Sequence, residues 1–352
     1  MYFFRHDLIK KHQVNVNVPH LKYMMCLNES GLDPYQTVKN EFLNLMNNIH
    51  LNRYYCDITR DLYHEIADYA EIEPEQLISG NGADEMLYFL FNAVRDDCNS
   101  FALTLSPSYF DYQSYCDAVG LSLKTFPLSE DFSFEPDNLM KLADDPDCKL
   151  IIICNPNNPT GNLFPYEDII QIVEQNPQRI VLIDETYFEF SGVTLVPLIK
   201  KYSNLIIIRT FSKAFSAAGL RFGYLISCQN NINEIKKVVT AFNLSIFTQA
   251  MALTIIRNKR IFLEYNQKII QQRELLYNDI TTLPQVQVFK SYTNFLLFRH
   301  KDYIDLFNYL KENEIAVRNV GNQGILKNCL RVSVAEDKLN RIFFKKVNEF
   351  GL

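Results

Sequence analysis

No stretch of this chain is apolar for the ~18 residues that a membrane span requires. Its opening, Met1-Tyr-Phe-Phe-Arg-His-Asp, lacks the order of charges of a signal peptide. The expectation is a cytoplasmic protein with no membrane partner. None of the eight cysteines stands in a Cys-x-x-Cys pair or beside a histidine at ligand spacing, which argues against a disulfide framework and a structural zinc. His64-Glu65 lacks the second histidine of a zincin helix, and Asp144-Asp-Pro-Asp147 lacks the glycine and distal glutamate of a calcium loop, so no metal is expected. Positive charge is in deficit: 35 Lys and Arg against 41 Asp and Glu give a net charge of −6. That argues against nucleic acid as the main partner, while leaving room for a local basic pocket that takes a small anion. Gly80-Asn-Gly82 has neither the third glycine of a dinucleotide fingerprint nor the Gly-Lys-Ser/Thr of a P-loop, which counts against NAD and ATP. Internal repeats and low-complexity segments are absent too.

What is present is a long, apolar chain. With 352 residues, 47% of them hydrophobic, it can bury a large core divided between about two unequal domains. Apolar runs at Phe101–Leu105, Leu150–Cys154, Arg179–Ile183 and Leu205–Ile208 read as buried strands, each ending in polar, turn-rich sequence. Helical spacing between them, as at Leu62, Ile66 and Tyr69 or from Met86 to Val94, gives an α/β fold with a parallel sheet covered on both faces. A long helical tract is expected to extend from beyond the lysine stretch at 209–224 to about Tyr277. Short strands then follow at Val286–Phe289, Asn294–Phe298, Ile315–Arg318 and Leu330–Val334, with helices at Tyr303–Asn313 and Lys338–Glu349. The expected division is a large domain of residues 46–274 and a smaller α+β domain of residues 1–45 and 275–352. Residues 1–45 are mixed and polar, with Leu27–Pro34 reading as a loop.

Strand ends are where open α/β sheets keep their sites. Beyond Leu205–Ile208, Thr210, Ser212 and Arg221 can gather around an anion, and Lys213 sits among small and aromatic residues that would depress its pKa by desolvation. A deprotonated lysine beside an anion pocket suits a Schiff base with a phosphorylated aldehyde; a solvated surface lysine would read the same in this stretch alone. Gly82, Ala83 and Asp84 open a helix whose amides can cradle a phosphate, although ordinary loop-to-helix turns look alike. Tyr109 follows a strand-end proline and can lay its ring on a flat ligand or simply fill the core. Asp184 closes an apolar strand, where a carboxylate is costly to bury unless a cation meets it.

Asn158-Pro-Thr-Gly161, Asp184-Glu-x-Tyr187, Ser212-Lys213 and Arg221 occur in that order. Together they resemble the signature of fold-type I pyridoxal-phosphate aminotransferases. Arg53-Tyr54, Gly80-Asn-Gly-Ala-Asp-Glu85, Asn155–Gly161, Arg209–Tyr224, Phe242-Asn243 and Cys329-Leu-Arg-Val-Ser333 are similar to histidinol-phosphate aminotransferases, and the resemblance runs from about residue 27 to the end. It implies a mostly parallel seven-stranded sheet in the large domain and pyridoxal 5′-phosphate as cofactor. It also implies transamination of histidinol phosphate with 2-oxoglutarate, in histidine biosynthesis. Lys213 would bind the cofactor and then carry the Cα proton, and Asp184 would pair with its ring nitrogen. Asn158 and Tyr187 would meet the phenolic oxygen, and Tyr109 would stack on the ring. Gly82, Ala83, Asp84, Thr210, Ser212 and Arg221 would surround the phosphate. Tyr54 would reach the phosphate of a neighbouring subunit, which makes the protein a homodimer with a shared site. Arg331 would take the substrate carboxylate, Arg318 the distal phosphate, and Asn28 would also contact substrate.

Three departures from the family pattern bear on substrate and partner more than on cofactor. The usual Asn-Glu-Asn-Pro-x-Gly-Pro is Asn28-Glu-Ser-Gly-Leu-Asp-Pro34, Tyr54 is followed by Tyr55 where proline is usual, and Ala241 replaces the proline before Phe242-Asn243. The alternatives are a lyase similar to threonine-phosphate decarboxylase, an aminotransferase for another, aromatic amino acid, and a non-catalytic relative that keeps the fold.

Overall fold

The structure, a computed structural model, describes residues 20–54, 57–321 and 324–350. In chain order, β1 (Tyr23–Met24) comes before β2 (Leu77–Gly80), β3 (Phe101–Ser106), β4 (Ser122–Pro127), β5 (Cys148–Cys154), β6 (Ile180–Asp184), β7 (Leu205–Thr210) and β8 (Gly223–Ser227). The last seven form one sheet in the order β2-β8-β7-β6-β5-β3-β4, and only β8 runs against its neighbours. Its central strands are apolar throughout because both faces are covered. Ile151, Ile153, Val181, Ile183, Leu205 and Ile207 point to one core, which includes Leu62 and Ile66 of the helix Asp57–Ala70. The alternate residues Leu150, Ile152, Leu182, Ile206 and Ile208 point to the other, with Leu87 and Leu90 of the helix Gly82–Val94. Each such side chain contributes roughly 1.5–3 kcal/mol by burial.

The smaller sheet holds β9 (Val286–Val288), β10 (Phe295–His300), β12 (Arg318–Asn319) and β13 (Cys329–Ser333) in the antiparallel order β12-β13-β10-β9, while β11 (Ile315–Ala316) pairs with β1. The helices Tyr303–Glu312 and Asp337–Phe350 contribute Leu306, Leu310, Phe343 and Val347 to its core.

One expectation needs correction, and one segment forms an element that was not foreseen. The tract after the lysine stretch is not one helix: β8 comes first, followed by helices Gln229–Lys236, Ile246–Arg257 and Lys259–Thr281. A short buried apolar run such as Gly223-Tyr-Leu-Ile-Ser227 has no periodicity that separates strand from helix. The later break falls where Phe242 takes a left-handed φ of 57° and the Ser245 side chain caps the next helix by accepting from the Thr248 amide. The opening segment also carries more structure than its polar composition suggested. Asp33 caps and Pro34 starts a helix, Pro34–Met46, which packs against Ile246–Arg257.

Candidate functional site

The carboxyl ends of β5, β6 and β7, the N-terminus of the helix Gly82–Val94, and β12 and β13 of the smaller sheet converge on a cavity of about 790 Å³. Ala83, Asp84, Tyr109, Asn158, Asp184, Tyr187, Thr210, Ser212, Lys213 and Arg221 line it, joined by Asn28, Arg318 and Arg331. Residues as far apart in the chain as Asn28 and Arg331 thus face one space. Gly82 lies just behind, under the Arg221 guanidinium, and Tyr54 stands outside with 83% exposure, its ring stacked on Phe242 at 4.9 Å.

Lys213 donates from Nζ to the Leu27 carbonyl at 2.9 Å. Burial, then the positive charge of Arg331, lower its pKa to about 8, with Glu29 opposing. A sizeable fraction is therefore the neutral, nucleophilic amine near physiological pH. Asp184 is buried at the end of β6, its Oδ1 accepting from the Thr186 amide at 3.0 Å and its Oδ2 from the Tyr112 hydroxyl at 2.6 Å. Burial holds its pKa above the ordinary carboxylate value, and the Thr186 side chain together with these two bonds opposes that rise. A cationic partner in the cavity would complete its compensation.

The anion cradle is built from three segments. Arg221 donates to Asp84 Oδ2 at 2.7 Å and to Ser212 Oγ at 3.3 Å, while Thr210 Oγ1 and Ser212 Oγ stand 3.0 Å apart. The first-turn amides of the helix Gly82–Val94 add the positive end of its dipole. Close approach of β8 to that turn depends on Gly223: a Cβ there would lie 2.3 Å from the Ala83 nitrogen and 2.5 Å from the Gly82 carbonyl carbon. Gly223→Ala must therefore push the turn out of place, and we expect at least a tenfold weaker hold on a phosphorylated cofactor, read as an equilibrium dialysis constant.

On the opposite wall Arg331 donates from Nη1 to Asn158 Oδ1 at 2.5 Å and from Nη2 to the Cys26 carbonyl at 3.0 Å, but its buried Nε has no partner among the described residues. An unpaired donor on a buried guanidinium costs about 1–3 kcal/mol, which an incoming carboxylate relieves. Arg318 lies opposite Arg331 in the β12–β13 register, its guanidinium 5.7 Å from the Phe110 ring centre. Asn28 donates to the Tyr187 hydroxyl at 2.9 Å, linking the N-terminal loop to the β6 end. Among the described residues no group of three His, Cys, Asp or Glu side chains could hold a metal ion.

Sequence reasoning missed Tyr112, Phe110, Asp111, Ser114 and Glu29 on the cavity wall or behind it. Tyr112 carried no local signal, because a helix-borne tyrosine in an apolar setting reads as core.

A depressed lysine, a buried carboxylate at a strand end and an arginine-serine-threonine cradle at a helix N-terminus fit pyridoxal 5′-phosphate, and with the doubly covered sheet they define a fold-type I enzyme of that cofactor. The chain belongs to the aminotransferase class I and II family, whose pattern matches residues 24–346, and it is a pyridoxal-phosphate-dependent aminotransferase. It is 33% identical over 333 residues to the histidinol-phosphate aminotransferase of Caldanaerobacter subterraneus, covering 95% of this chain and 94% of that one. Its fold is similar to the crystal structure of the histidinol-phosphate aminotransferase from Clostridium acetobutylicum, with a TM-score of 0.85 and 25% identity over 94% of this chain and 99% of that one. It also superimposes on L-threonine-O-3-phosphate decarboxylase from Porphyromonas gingivalis, with a TM-score of 0.79 and 21% identity over 93% of this chain and 99% of that one. The fold is therefore common to both chemistries and does not separate them.

Proposed function

We propose that the enzyme transaminates histidinol phosphate, with glutamate and 2-oxoglutarate as the other pair. The observation that carries this reading is the pairing of Arg318 with Arg331 on adjacent strands facing the same cavity. Histidinol phosphate brings a phosphate and no carboxylate, whereas glutamate brings two carboxylates. Two arginine forks serve both anions, which a pair of lysines would match less well. When bound, the cofactor supplies an electron sink for the bonding pair released at the donor's Cα. Lys213 Nζ, neutral in part, takes the Cα proton and returns one on the far side of the exchange. Asp184 would pair with the protonated ring nitrogen, and Arg331 would orient glutamate through a carboxylate. Asn158 and Tyr187 would hold the phenolic oxygen.

Arg318→Ala tests the substrate. A lost charge-assisted bond of ~1.5–3 kcal/mol predicts a roughly tenfold to hundredfold fall in kcat/KM for the phosphorylated amine, with little change for the unphosphorylated amine of the same skeleton. Equal losses on both, or none, reject histidinol phosphate. Release of carbon dioxide from a phosphorylated amino acid, with no oxo product formed from the amine, would reassign the chain to the lyases.

The same reading places two chains together in the cytoplasm. Tyr54 and Phe242 are 83% and 67% exposed although their rings stack on each other, and Phe247 nearby in sequence is also exposed. A second copy covering this aromatic surface would bring Tyr54 towards its cradle.

A further inference from the structure

Tyr112 is unused by the mechanism so far. It stands on the helix Asp111–Val119, 1% exposed, with its ring centre 5.3 Å from that of Tyr109 and the two planes nearly perpendicular. Its hydroxyl donates to Asp184 Oδ2 at 2.6 Å. A tyrosine that merely fills the core needs no such bond, since phenylalanine would fill the same space without a hydroxyl to satisfy. Here the hydroxyl is spent on the one carboxylate that closes β6 beneath the cavity.

We propose that Tyr112 is a positioning residue which fixes Oδ2 and keeps Asp184 in its carboxylate form, so that the proton shared with the cofactor stays on the ring nitrogen. This rests on the reading of Asp184 as the partner of that nitrogen. A carboxylate that accepts a strong hydrogen bond is a weaker base, and the proton between it and a pyridine nitrogen then lies nearer nitrogen. Other surroundings push the opposite way. Burial is the largest influence favouring the neutral carboxyl, and the Asp84 carboxylate from the helix Gly82–Val94 adds to it. The Cys154 thiol at the end of β5 and the Tyr187 phenol also face the pair, and both have their pKa raised, by burial first. They stay neutral near pH 7. The side chain of Thr186, the hydroxyl of Tyr112 and the amide of Thr186 are, in that order, the groups that oppose its neutralisation. The amide is backbone and cannot be altered by substitution; of the two side chains, Tyr112 is the one that holds Oδ2, at 2.6 Å from a buried hydroxyl.

The experiment uses holoenzyme reconstituted with pyridoxal phosphate labelled with 15N in the ring. In the wild type the ring-nitrogen resonance is expected at its pyridinium position at pH 7. Tyr112→Phe deletes one oxygen atom and should move that resonance towards neutral pyridine, a tenfold to hundredfold change in the distribution of the proton between nitrogen and oxygen for a charge-assisted bond of this kind. In an Asp184→Asn background the same change should do nothing further. An unmoved resonance in Tyr112→Phe, or an equal shift with and without Asp184, overturns the proposal. An unmoved resonance in Asp184→Asn alone instead rejects the assignment of Asp184 to the ring nitrogen, and Tyr112 falls with it. If Tyr112→Phe does not fold, 3-fluorotyrosine at position 112 keeps the shape and makes the phenol a stronger donor. The resonance should then keep or sharpen its pyridinium character, and a move towards pyridine overturns the proposal.

Discussion

Lys213→Ala should abolish turnover, by at least four orders of magnitude on the scale of losses that follow removal of a covalent or proton-carrying group. Borohydride should fix the cofactor covalently on the wild-type chain at Lys213 and at no position in the variant, as read by peptide mass. A yellow variant that borohydride still labels would move the nucleophile elsewhere. The fold should survive, because Lys213 contributes chemistry and one hydrogen bond to the Leu27 carbonyl, not packing. Cofactor-free stability provides an independent check on its environment. Burial and Arg331 hold the folded-state pKa at about 8, below the ~10.4 of an unfolded lysine. Between those two values the unfolded chain binds more protons, so the stability contributed by this group rises with pH through that window, and the cost of burying the ammonium is fully present below it. Lys213→Met should therefore be more stable than the wild type at pH 7, on the order of 1 kcal/mol after allowance for partial solvent access, and the advantage should fade towards pH 10. An advantage that grows with pH would reverse the sign of the shift.

The parts of this site that were legible in the sequence are those carried by local rules. Asp184, Lys213 and the Ser79–Glu85 turn each follow or open an element whose apolar run marks it, so their place at strand and helix ends could be read directly. Tyr112 could not be found that way. Its function depends on a partner 72 residues away across two elements, and nothing in Asp111-Tyr-Gln-Ser-Tyr-Cys116 distinguishes a hydroxyl aimed at a carboxylate from one aimed at solvent. Arg318 is intermediate. Its strand could be read as an apolar run, but its register opposite Arg331 depends on a tertiary pairing, and the structure splits that run into β11 and β12. β8 was missed for a similar reason: its antiparallel direction is set by the connection through the 211–222 turn, where Arg221 takes a left-handed φ of 56°.

Arg209→Met should cost about 3–5 kcal/mol of folding free energy, the range for removing one partner of a buried ion pair. Arg209 and Glu185 have side chains only 3% and 0% exposed, and both Nε and Nη2 of the arginine reach Glu185 Oε2, at 3.0 and 2.8 Å. Glu185 Oε1 accepts from the Leu195 amide at 2.7 Å, Thr194 donates to the carboxylate, and the guanidinium lies 3.6 Å over the Phe188 ring. Burial opposes the arginine's charge, but Glu185 and its neighbours hold its pKa above the ordinary value. Without Arg209 the carboxylate keeps its two local donors and loses its only cation within ion-pair reach among the described residues, which strands a buried charge. Urea titration measures the loss. Adding Glu185→Gln should recover most of the loss, because the amide oxygen still accepts from Leu195 and no charge is stranded. The position of the pair ties this stability to the site. Glu185 directly follows Asp184, and Arg209 directly precedes Thr210 on the neighbouring strand, so the bond clamps the ends of β6 and β7 from below. Arg209→Met should then weaken cofactor binding even at temperatures where it remains folded, and the double variant should restore it. A single variant that is destabilised but binds cofactor as the wild type does would show that the clamp supports the fold alone.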